Sequence, residues 1–415
     1  MTILNKILIV GKRELKVICT RYAIIVVLLG GIFLYGFLYN FMYGPNVVRN
    51  APIAVVDMSR TPLSRKYARM LDATPQAQVI SNNSDLPAAK ELMKTLDAVG
   101  VVYIPSNFDQ KVGEGHQAVF VLYSVTTAFL YYASMQEAAA GAMLAVNDNV
   151  RPNQVVFLPQ KDIEAVITTN PITNKGTALF NYTNGYGTYL IPGVLAVIIF
   201  QTIIMIISML SGKEREEMRM WNSYNHEEKI KSGSIPAYKI YQKLGVDNSG
   251  VPTYSTLFAI IIGKTGVYMF IYTFLCIFMI GVLPLMFQLP HLASPILIIQ
   301  LMIPYLLATC FFSLACSFFF SDSDAPLLLI SFFSVGLVFL SGISYPLENM
   351  PWYWQWSHFI IPAAPGTLAF VKINSMGASM AEISQQYIVL WIQVIIYFFI
   401  ACWAYRYNMK RALRV

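Results

Sequence analysis

Three groups of residues in this chain of 415 have types and spacings that could carry chemistry. Acidic side chains can act as general acids and bases, and four candidates are Asp57, Asp72, Asp109 and Glu114. The triplet Asp322-Ser323-Asp324 has the DxD spacing of a metal-binding motif. Gly263-Lys264-Thr265 has the ending of a phosphate-binding loop. No HExxH, GxSxG or metal-ligand spacing accompanies the four acids, so we interpret them as solvated surface side chains.

The sequence around the other two groups argues against chemistry there as well. The glycine that a phosphate-binding loop needs five positions before Gly263 is replaced by Phe258, and an apolar helix follows. The Asp322-Ser323-Asp324 triplet lies in a very short turn between two apolar runs, which leaves no room for a sugar-nucleotide fold. We therefore expect no catalytic residue, no metal site and no bound cofactor in this chain.

The elements that surround these motifs are long apolar helices. Leu190–Ser211 contains no charged residue, and at about 1.5 Å per residue it reaches roughly 33 Å, enough to cross a bilayer. Tyr22–Met42 is longer than the apolar region of a cleavable signal peptide, and no small-residue cleavage site follows it. Four further runs are Val267–Phe287, Ile296–Phe320, Pro326–Leu340 and Tyr387–Trp403. The sequence predicts an α-helical integral membrane protein with six transmembrane helices.

Composition agrees, since 56% of the residues are hydrophobic and 12% are charged, against roughly 25% charged in soluble domains. Residues 43–187 are more polar and alternate short strands with helices, which indicates an α/β domain between helices 1 and 2. The predicted strands are Ile53–Val56, Gln78–Ile80, Ala98–Ile104 and Val119–Tyr123, and the predicted helices are Leu63–Leu71, Leu86–Leu96 and Ala128–Val146. None of the five cysteines lies in this domain, so a hydrophobic core must stabilise it.

The remaining segments complete the division of the chain. Residues 1–21 are predicted to form an amphipathic helix on the membrane surface, with Leu4, Leu8, Leu15 and Ile18 on one face. The predicted segments after it are 22–42, transmembrane helix 1; 43–187, the α/β domain; 188–211, transmembrane helix 2; 212–264, a polar loop; 265–403, transmembrane helices 3–6; and 404–415, a polar tail.

The distribution of Lys and Arg predicts the orientation. The formal net charge is +7, and basic residues are concentrated in 1–21, in 212–264 and after Trp403, whereas the loop Ser341–Gln386 has only Lys372. The positive-inside rule therefore places both termini and the 212–264 loop in the cytoplasm, and the α/β domain outside. Because topology accounts for the basic excess, we do not expect binding to nucleic acid.

The segment Ser341–Gly366 is rich in proline, glycine and tryptophan. Prolines at this density prevent one continuous helix. The apolar pieces between them favour a re-entrant segment at about 343–366, which membrane proteins tolerate where protein covers the freed backbone groups. A simple surface loop with tryptophans at the membrane interface is the alternative.

This stretch resembles the signature of type 2 ABC exporter permeases of the bacterial drug- and polymer-export kind. The matching residues are Ser341-Gly342, Pro346 and Met350-Pro351, together with Asn170-Pro171 and Ile191-Pro192-Gly193 before helix 2, Glu214-Arg215-Glu216 after it and Gly263-Lys264 before helix 3. Residues Met218-Arg219-Met220-Trp221 depart from the family, which usually continues with Gly-Thr and a short coupling loop.

The resemblance implies a permease subunit in the bacterial inner membrane that works with a separate cytoplasmic ATPase subunit, which binds ATP and Mg. It implies that residues 212–264 couple to the ATPase, with Glu214, Arg215, Glu216 and Glu217 at the docking site. We place a translocation path and outer gate at Pro192, Gly193, Ser341, Gly342, Pro346, Met350 and Pro351, because the glycines allow close helix approach and the prolines free backbone carbonyls that movement could pair again. Expected partners include a second permease copy or a similar permease, a periplasmic adaptor, an outer-membrane channel and the lipid bilayer.

Two further classes of protein are compatible with six helices and an outside domain. A membrane receptor or channel-like protein with an extracytoplasmic sensor domain is the first, although a cytoplasmic loop of some fifty residues is small for an output domain. A membrane-embedded enzyme is the second, but it would need polar catalytic groups at usable spacing in the helices. We expect an exporter of an amphiphilic or hydrophobic drug, lipid or glycan-like substrate, which is consistent with multidrug efflux.

Overall fold

The chain forms two units in the computed structural model. One unit comprises Met1–Gly44 and Gly187–Val415, here called the membrane unit, and the other comprises Pro45–Tyr186, the α/β unit. The residues that the structure describes are 1–44, 47–83, 85–95, 97–114, 116–124, 129–155, 185–223, 237–246, 251–289, 291–320 and 322–414.

The membrane unit begins with two helices that meet at Arg21. Helix α1 spans Ile3–Thr20, and α2 spans Tyr22–Met42 and contains a π-helical segment over Val26–Leu34. The α1 residues that are buried are Lys6, Val10, Glu14 and Ile18, whereas Leu4, Leu8 and Leu15 are exposed. Of the four residues on the predicted apolar face, Ile18 is buried and the three leucines are exposed, whereas Lys6, Val10 and Glu14 pack on the protein. Buried charge partners for Glu14, described below, decide which face packs.

The α/β unit follows in the order β1 (Ala51–Asp57), α3 (Pro62–Asp72), β2 (Ala77–Asn83), α4 (Leu86–Lys94), β3 (Gly100–Ile104), α5 (Phe108–Gly113), β4 (Val121–Ser124) and α6 (Phe129–Val155). The four strands lie in the order β2-β1-β3-β4. Strand β1 is parallel to β2 and β3, and β4 is antiparallel to β3. This is a mixed α/β sheet, and its elements lie close to those predicted.

Both faces of the central strand β1 are buried in this unit. Ile53 and Val55 pack with Tyr67 of α3 and Met135 of α6 on one face. Ala54 and Val56 pack with other residues on the opposite face, where α4 contributes. Successive side chains of a strand point to opposite faces, so a strand covered on both sides needs a continuous apolar run. That requirement accounts for the run of apolar residues in β1.

The membrane unit continues with α7 (Tyr186–Ser223), α8 (Ala237–Leu244), α9 (Tyr254–Met286), α10 (Pro295–Cys316), α11 (Ala325–Leu340), α12 (Trp352–Gln355), α13 (Ser357–Ile360), α14 (Ala363–Met376) and α15 (Ser384–Arg414). A π-helical segment, Ile277–Val282, lies within α9. A 3-10 turn, Ser317–Phe319, extends α10. Helix α10 packs against α14 and α15, and α1 packs against α9.

Among the described residues, five helices are long and apolar enough to cross a membrane: α2, α7, α9, α10 and α15. A sixth crossing is possible if α12–α13 and α14, which meet at an angle of 85°, count as one broken span. Helix α11, predicted as a transmembrane helix, has 16 residues and reaches about 24 Å, less than the roughly 30 Å of a hydrocarbon core. The mostly helical membrane fold is confirmed, with five spans by length among the described residues, or up to six if the bent pair is one span.

The polar loop predicted at 212–264 is shorter in the structure. Helix α7 continues through Gly212 to Ser223, and α9 already begins at Tyr254. Lys264, the last residue of the predicted loop, is therefore well inside α9 and is 1% exposed. The helix continues past Lys264 because the charge of this residue is paired with acidic side chains inside the protein.

Candidate functional site

Seven ionisable or tyrosine side chains from five helices meet inside the membrane unit. They are Arg13 and Glu14 of α1, Glu214 of α7, Tyr241 of α8, Lys264 and Tyr268 of α9, and Tyr405 of α15. We call this set the Glu214 cluster. It joins residues that are distant in the sequence, so it connects the first helix of the chain with the last.

Close approach of two helices makes the cluster possible. A Cβ atom placed on Gly263 of α9 would lie 2.9 Å from the carbonyl oxygen of Ile7 in α1. The same atom would lie 3.0 Å from the Cβ of Val10. Only glycine leaves enough space for α1 at this point, and small residues are the usual means of close helix packing in membrane proteins. The short distance between α1 and α9 brings Glu14 within reach of Lys264.

Glu214 accepts four hydrogen bonds. Its Oε1 atom accepts from Arg13 Nη1 at 2.5 Å and from the Tyr241 hydroxyl at 3.0 Å. Its Oε2 atom accepts from Lys264 Nζ at 2.7 Å and from the Tyr405 hydroxyl at 3.0 Å. Four donors fill the lone pairs of a carboxylate. Glu214 thus fixes the positions of four other helices relative to α7.

Glu14 supplies the second negative charge. Its Oε1 atom accepts a hydrogen bond from the Tyr268 hydroxyl at 2.6 Å. Its Oε2 atom lies 3.8 Å from both Lys264 Nζ and Arg13 Nη1. Two carboxylates therefore face one ammonium and one guanidinium, and the cluster has no formal net charge. Burying charges is costly unless they are paired and hydrogen-bonded, and this arrangement meets both conditions.

Two members of the cluster outside the membrane helices have shifted pKa values. Burial opposes the charged form of Arg13, but Tyr241, Glu214 and Glu14 outweigh it and raise the guanidinium pKa above its ordinary value. Burial, followed by the charge of Glu214, raises the pKa of Tyr241 to about 12. Arg13 therefore remains a cation and Tyr241 a neutral donor at physiological pH.

A second buried contact ties α1 to α8 and α9. Lys6 Nζ donates to Thr256 Oγ1 at 3.0 Å. The Thr256 hydroxyl in turn donates to the carbonyl oxygen of Leu244, the last residue of α8, at 3.2 Å. Helix α8 is thus held by Tyr241 through the Glu214 cluster and by Leu244 through Lys6.

The four residues expected at the ATPase docking site have different environments. Glu214 is buried and satisfied within the chain. Arg215 donates to the carbonyl oxygens of Ser317, Phe318 and Phe320, at 3.1 Å for Phe318, and so caps the end of α10. Glu216 pairs with Lys213 at 3.1 Å, and Glu217 pairs with Arg21 at 2.9 Å. Glu216 and Glu217 keep partly exposed side chains that a partner could reach.

The structure brings two segments of the expected outer gate together. A Cβ atom on Gly193 would overlap the side chain of Ile343, and the Tyr189 hydroxyl donates to the Ile343 carbonyl oxygen. Gly342 has φ +80°, and a Cβ atom there would lie 2.9 Å from Leu347 Cγ. Ser341 is buried, and its hydroxyl donates to the Val338 carbonyl at 2.6 Å. The start of α7, with Pro192, therefore packs directly on the segment after α11.

The rest of the expected gate lies in the turns that follow. Pro346 accepts a backbone hydrogen bond from Asn349 at 3.2 Å, and Pro351 accepts one from Trp354 at 2.9 Å. The Met350 carbonyl accepts from Gln355 Nε2 at 2.9 Å. These residues shape the turn before α12. Asn170-Pro171, which belonged to the family resemblance, lies outside the described residues.

A cavity of about 360 Å³ lies between α2, α7 and α11. Its polar lining residues are Tyr35, Tyr39, Gln201, Thr202, Ser331 and Ser334, and its other lining residues are apolar or glycine. Gln201 Nε2 donates to the Ser334 carbonyl at 3.2 Å and so bridges α7 and α11. None of the described residues that line this cavity is charged.

The four candidate acids of the α/β unit hold local structure. Asp57 accepts hydrogen bonds from the backbone of Ser59 and Arg60 and from Ser64 Oγ, the last at 2.6 Å. Asp72 accepts from the Val79 backbone at 2.7 Å. Glu114 accepts from Gln110 at 2.9 Å, and Asp109 lies in the first turn of α5. Among the described residues they form no group that could hold a metal ion.

The two short motifs also have structural environments. Gly263-Lys264-Thr265 is buried within α9 and has no loop geometry. The backbone of Asp322 packs on α7, where a Cβ atom on Gly212 would overlap the Asp322 carbonyl oxygen. The DxD triplet is thus the turn that follows α10 and contacts α7.

Sequence reasoning did not find most of the Glu214 cluster. Glu14, Tyr241, Tyr268 and Tyr405 were not singled out, and Lys264 was considered only within the phosphate-loop pattern and as part of the Gly263-Lys264 motif of the family resemblance. One signal was available, since a lysine just before an apolar run needs a buried partner if the helix begins upstream of it. Which acid serves as that partner is a property of helix packing.

The described part of the chain has five apolar helices of spanning length, so this is a multi-pass membrane protein. A family model described as "ABC-2 family transporter protein" matches residues 21–225 and 249–403, which is most of the chain. The chain belongs to this family, and it is a permease subunit of an ABC transporter that works with an ATPase subunit. A search of curated proteins and a search of solved structures each found no match to the chain.

Proposed function

We propose that this permease exports an amphiphilic or hydrophobic substrate, such as a drug, a lipid or a glycan-like molecule, from the cytoplasm or the inner leaflet. A separate cytoplasmic ATPase subunit binds ATP and Mg and supplies the energy. The Glu214 cluster supports this proposal above all, because it links α1 and α8, which we propose that the ATPase displaces, to α7, a helix that lines the cavity. In this proposal the cluster transmits force.

The route of that force runs along α7. Glu214 is bonded to α1, α8, α9 and α15 at one end of the helix. Gly193, near the other end, packs on Ile343. At about 1.5 Å per residue the two positions are roughly 30 Å apart. Displacement of α1 or α8 by the ATPase would therefore move α7 as a rigid rod and change the packing at Gly193.

The cavity between α2, α7 and α11 is the proposed substrate path. Its uncharged polar groups suit a ligand with neutral hydrogen-bonding groups, and its apolar residues suit a hydrophobic body. The outer gate is proposed at Pro192, Gly193, Ser341, Gly342, Pro346, Met350 and Pro351. Glu216 and Glu217, whose side chains are partly exposed, remain the proposed ATPase contacts.

We further propose the orientation and assembly. Both termini and residues 212–264 lie in the cytoplasm of a bacterium, and the α/β unit lies in the periplasm. Two permease copies, or this chain and a similar permease, form the membrane part. The α/β unit would then be free to recruit a periplasmic adaptor and an outer-membrane channel.

Conservative variants of two tyrosines on α15 test the coupling proposal. Tyr405 donates to Glu214, whereas Tyr407 stacks on Trp403 and is 46% exposed. In proteoliposomes containing the permease and its ATPase, Tyr405→Phe should lower substrate transported per ATP hydrolysed by about tenfold, since it removes a hydrogen bond to a buried carboxylate, which contributes about 1.5–3 kcal/mol. Tyr407→Phe should leave this ratio unchanged. If Tyr405→Phe lowers only thermal stability, with the ratio intact, the cluster is structural and does not couple.

Cysteine labelling tests the orientation. In a variant without native cysteines, Ser106→Cys should react with a membrane-impermeant maleimide added to intact cells, because Ser106 is exposed on the α/β unit. Ser232→Cys, at a position outside the described residues, should react only after the cells are opened. The reverse pattern would place the α/β unit in the cytoplasm and overturn the export direction.

A further inference from the structure

Helix α1 has an exposed face that does not contribute to the cavity of the proposed transport path. Leu4, Leu8 and Leu15 are 40–65% exposed, and Lys12 and Lys16 are also exposed. At about 100° per residue, the two lysines lie roughly 80° further round the helix than the three leucines. Within the part of the chain that the structure describes, neither lysine is in an ion pair. The exposed face therefore consists of an apolar stripe beside a cationic stripe.

The opposite face of α1 is bound to the rest of the membrane unit. Lys6, Arg13 and Glu14 make the buried hydrogen bonds described above, to α9 and α7. Arg13 and Glu14 directly follow Lys12 in the sequence. A ligand that fixes the position of the exposed face would therefore also fix the two residues by which α1 enters the Glu214 cluster.

Contacts between α2 and α9 show how far each helix extends. The rings of Phe33 and Phe278 have centroids 4.5 Å apart, and those of Phe41 and Phe287 have centroids 5.2 Å apart. The second contact lies eight residues further along α2 and nine residues further along α9. The two helices therefore run side by side in the same direction, and positions on one can be matched to positions on the other.

Helix α1 packs on a part of α9 that extends beyond the start of α2. Tyr22, the first residue of α2, lies eleven residues before the first of these ring contacts, and the same step back along α9 reaches Val267. Helix α9 has 33 residues and reaches about 50 Å, whereas a hydrocarbon core is roughly 30 Å thick. Helix α1 contacts α9 at Thr256 and Gly263, both before Val267. The depth of α1 is therefore that of the lipid headgroups, at the edge of the core.

Anionic phospholipids have the chemistry that complements this face at this depth. Amphipathic helices at a membrane surface place their apolar side chains at the boundary between headgroups and acyl chains. Lysines beside such a stripe are attracted to the negative charge of anionic lipids. In a zwitterionic lipid the headgroup's own cation neutralises the phosphate, whereas phosphatidylglycerol keeps its negative charge. The two lysines therefore favour an anionic lipid over a zwitterionic one.

We propose that the exposed face of α1 binds anionic phospholipids of the adjacent leaflet, with both lysines paired with lipid phosphates and the three leucines among the acyl chains. Bound lipid would hold α1 in the position from which Arg13 and Glu14 reach the Glu214 cluster. The lipid composition of the membrane would thereby regulate how firmly α1 is attached to the other helices. The proposal does not depend on the substrate or on the direction of transport.

Fluorescence quenching tests this proposal on the full chain in complex with its ATPase. In a variant without native cysteines, Leu8→Cys would carry an NBD fluorophore, and the complex would be reconstituted in nanodiscs of phosphatidylcholine and phosphatidylglycerol. One of the two lipids at a time would carry a nitroxide spin label on an acyl chain, which quenches NBD on contact. We expect quenching by both lipids, with a clear preference for phosphatidylglycerol. If the Leu8→Cys protein does not fold, Leu4→Cys takes its place, because Leu4 is more exposed.

Lysine variants provide a matched comparison. Lys12→Gln and Lys16→Gln should each lower the preference for phosphatidylglycerol by about fivefold, which is the effect expected of one lysine near an anionic surface. Lys12→Arg keeps the charge and should keep the preference. Lys66→Gln removes one positive charge from α3 of the α/β unit and should leave the preference unchanged.

Three results would overturn the proposal. Absence of quenching by either lipid would show that the ATPase or a second copy of the chain covers the exposed face of α1. Equal quenching by the two lipids would show contact with the membrane but no site for an anionic headgroup. A preference for phosphatidylglycerol that survives both Lys12→Gln and Lys16→Gln would place the anionic lipid elsewhere on the protein.

Discussion

The two ends of helix α7 are held by different kinds of interaction. At Glu214 the helix is fixed by four directional hydrogen bonds from charged and hydroxyl groups. At Gly193 it is held mainly by close apolar packing on Ile343, which the missing side chain allows, with one hydrogen bond nearby from the Tyr189 hydroxyl to the Ile343 carbonyl oxygen. A buried carboxylate has few alternative sets of partners, whereas apolar side chains can repack at small cost. Helix α7 is thus held rigidly at Glu214 and by a more adaptable contact at Gly193.

This difference predicts where the molecule tolerates change. Removing one group from the Glu214 cluster leaves other groups buried without partners. The loss should therefore destabilise the packing of all five helices that contribute to the cluster. The steric strain caused by adding atoms at Gly193 should be relieved by a local change in Ile343, the residue that Gly193 contacts. The following four experiments test the contrast, beginning with the largest expected effect.

Removal of the Glu214 carboxylate should have the largest effect. Glu214→Leu leaves Arg13 and Lys264 buried with only Glu14 near them, which should cost about 3–5 kcal/mol. Thermal unfolding of the purified protein in detergent, followed by size-exclusion chromatography, measures the loss. Glu216→Leu is the control, because that side chain is 41% exposed and its pair with Lys213 should contribute less than about 1 kcal/mol.

A double substitution sharpens this test. Lys264→Leu alone should also destabilise the protein, but Glu214→Leu combined with Lys264→Leu removes one charge of each sign. The pair should therefore cost less than the sum of the two single variants. Additive losses would show that Glu214 and Lys264 do not depend on each other, and the comparison between the two ends of α7 would fail.

Substitution of Gly342 should have an intermediate effect on the stability of the protein. Its φ of +80° is unfavourable for any residue with a Cβ atom, so Gly342→Ala should cost about 1–2 kcal/mol from the backbone alone. Contact with Leu347 Cγ adds to this cost. Thermal unfolding of Gly342→Ala with and without Leu347→Ala separates the two causes, since trimming Leu347 relieves only the contact. Full recovery in the double variant would show that the backbone conformation contributes nothing.

Substitution of Gly193 should lower thermal stability by a smaller amount, and a second substitution at Ile343 should restore part of the loss. Gly193→Ala places a methyl group against Ile343 and should cost about 1 kcal/mol, because the contact is the end of a flexible side chain. Ile343→Val removes the terminal methyl group and makes room. The double variant should be more stable than the sum of the single changes predicts, as measured by thermal unfolding. A rescue of transport without a change in stability would locate the effect in gating.

The smallest effect is expected at the Arg21–Glu217 pair. Both side chains are partly exposed, at 36% and 23%, so the pair should contribute less than about 1 kcal/mol. Glu217→Gln should therefore leave the unfolding temperature nearly unchanged while co-purification of the ATPase is monitored. Reduced co-purification with unchanged stability would support Glu217 as a docking residue, and reduced stability would assign it to the fold.

Sequence reasoning succeeded where the signal is local. The apolar helices follow from hydropathy and length, because a bilayer imposes both requirements on each segment separately. Family membership followed from short motifs such as Ser341-Gly342 and Met350-Pro351, and the matching family confirms it. Strand β1 was visible in the α/β unit because a strand buried on both faces has a continuous apolar run.

Sequence reasoning failed where the structure of one segment depends on its contacts with another segment. Helix α1 was predicted to lie on the membrane surface with Leu4, Leu8, Leu15 and Ile18 on one face, but periodicity did not predict that the helix also buries Lys6 and Glu14. Periodicity alone favours the apolar face, and the partners that make charge burial possible lie on other helices. The length of α11 shows the same limit, because the chain turns at Gly342 before the apolar sequence is long enough to span.

The sequence by itself determined that this protein is a helical membrane protein, because spanning helices are selected by composition and length over some twenty residues. Its assignment as a permease came from the resemblance of short motifs to a family, which the family match supports. Only the tertiary structure decided that Glu214 is an internal junction and that Lys264 belongs inside a membrane helix. The physical reason is that a buried charge is stable only beside specific partners at hydrogen-bond distance. For Glu214 those partners are Arg13, Tyr241, Lys264 and Tyr405, and only the packing of five helices brings them together.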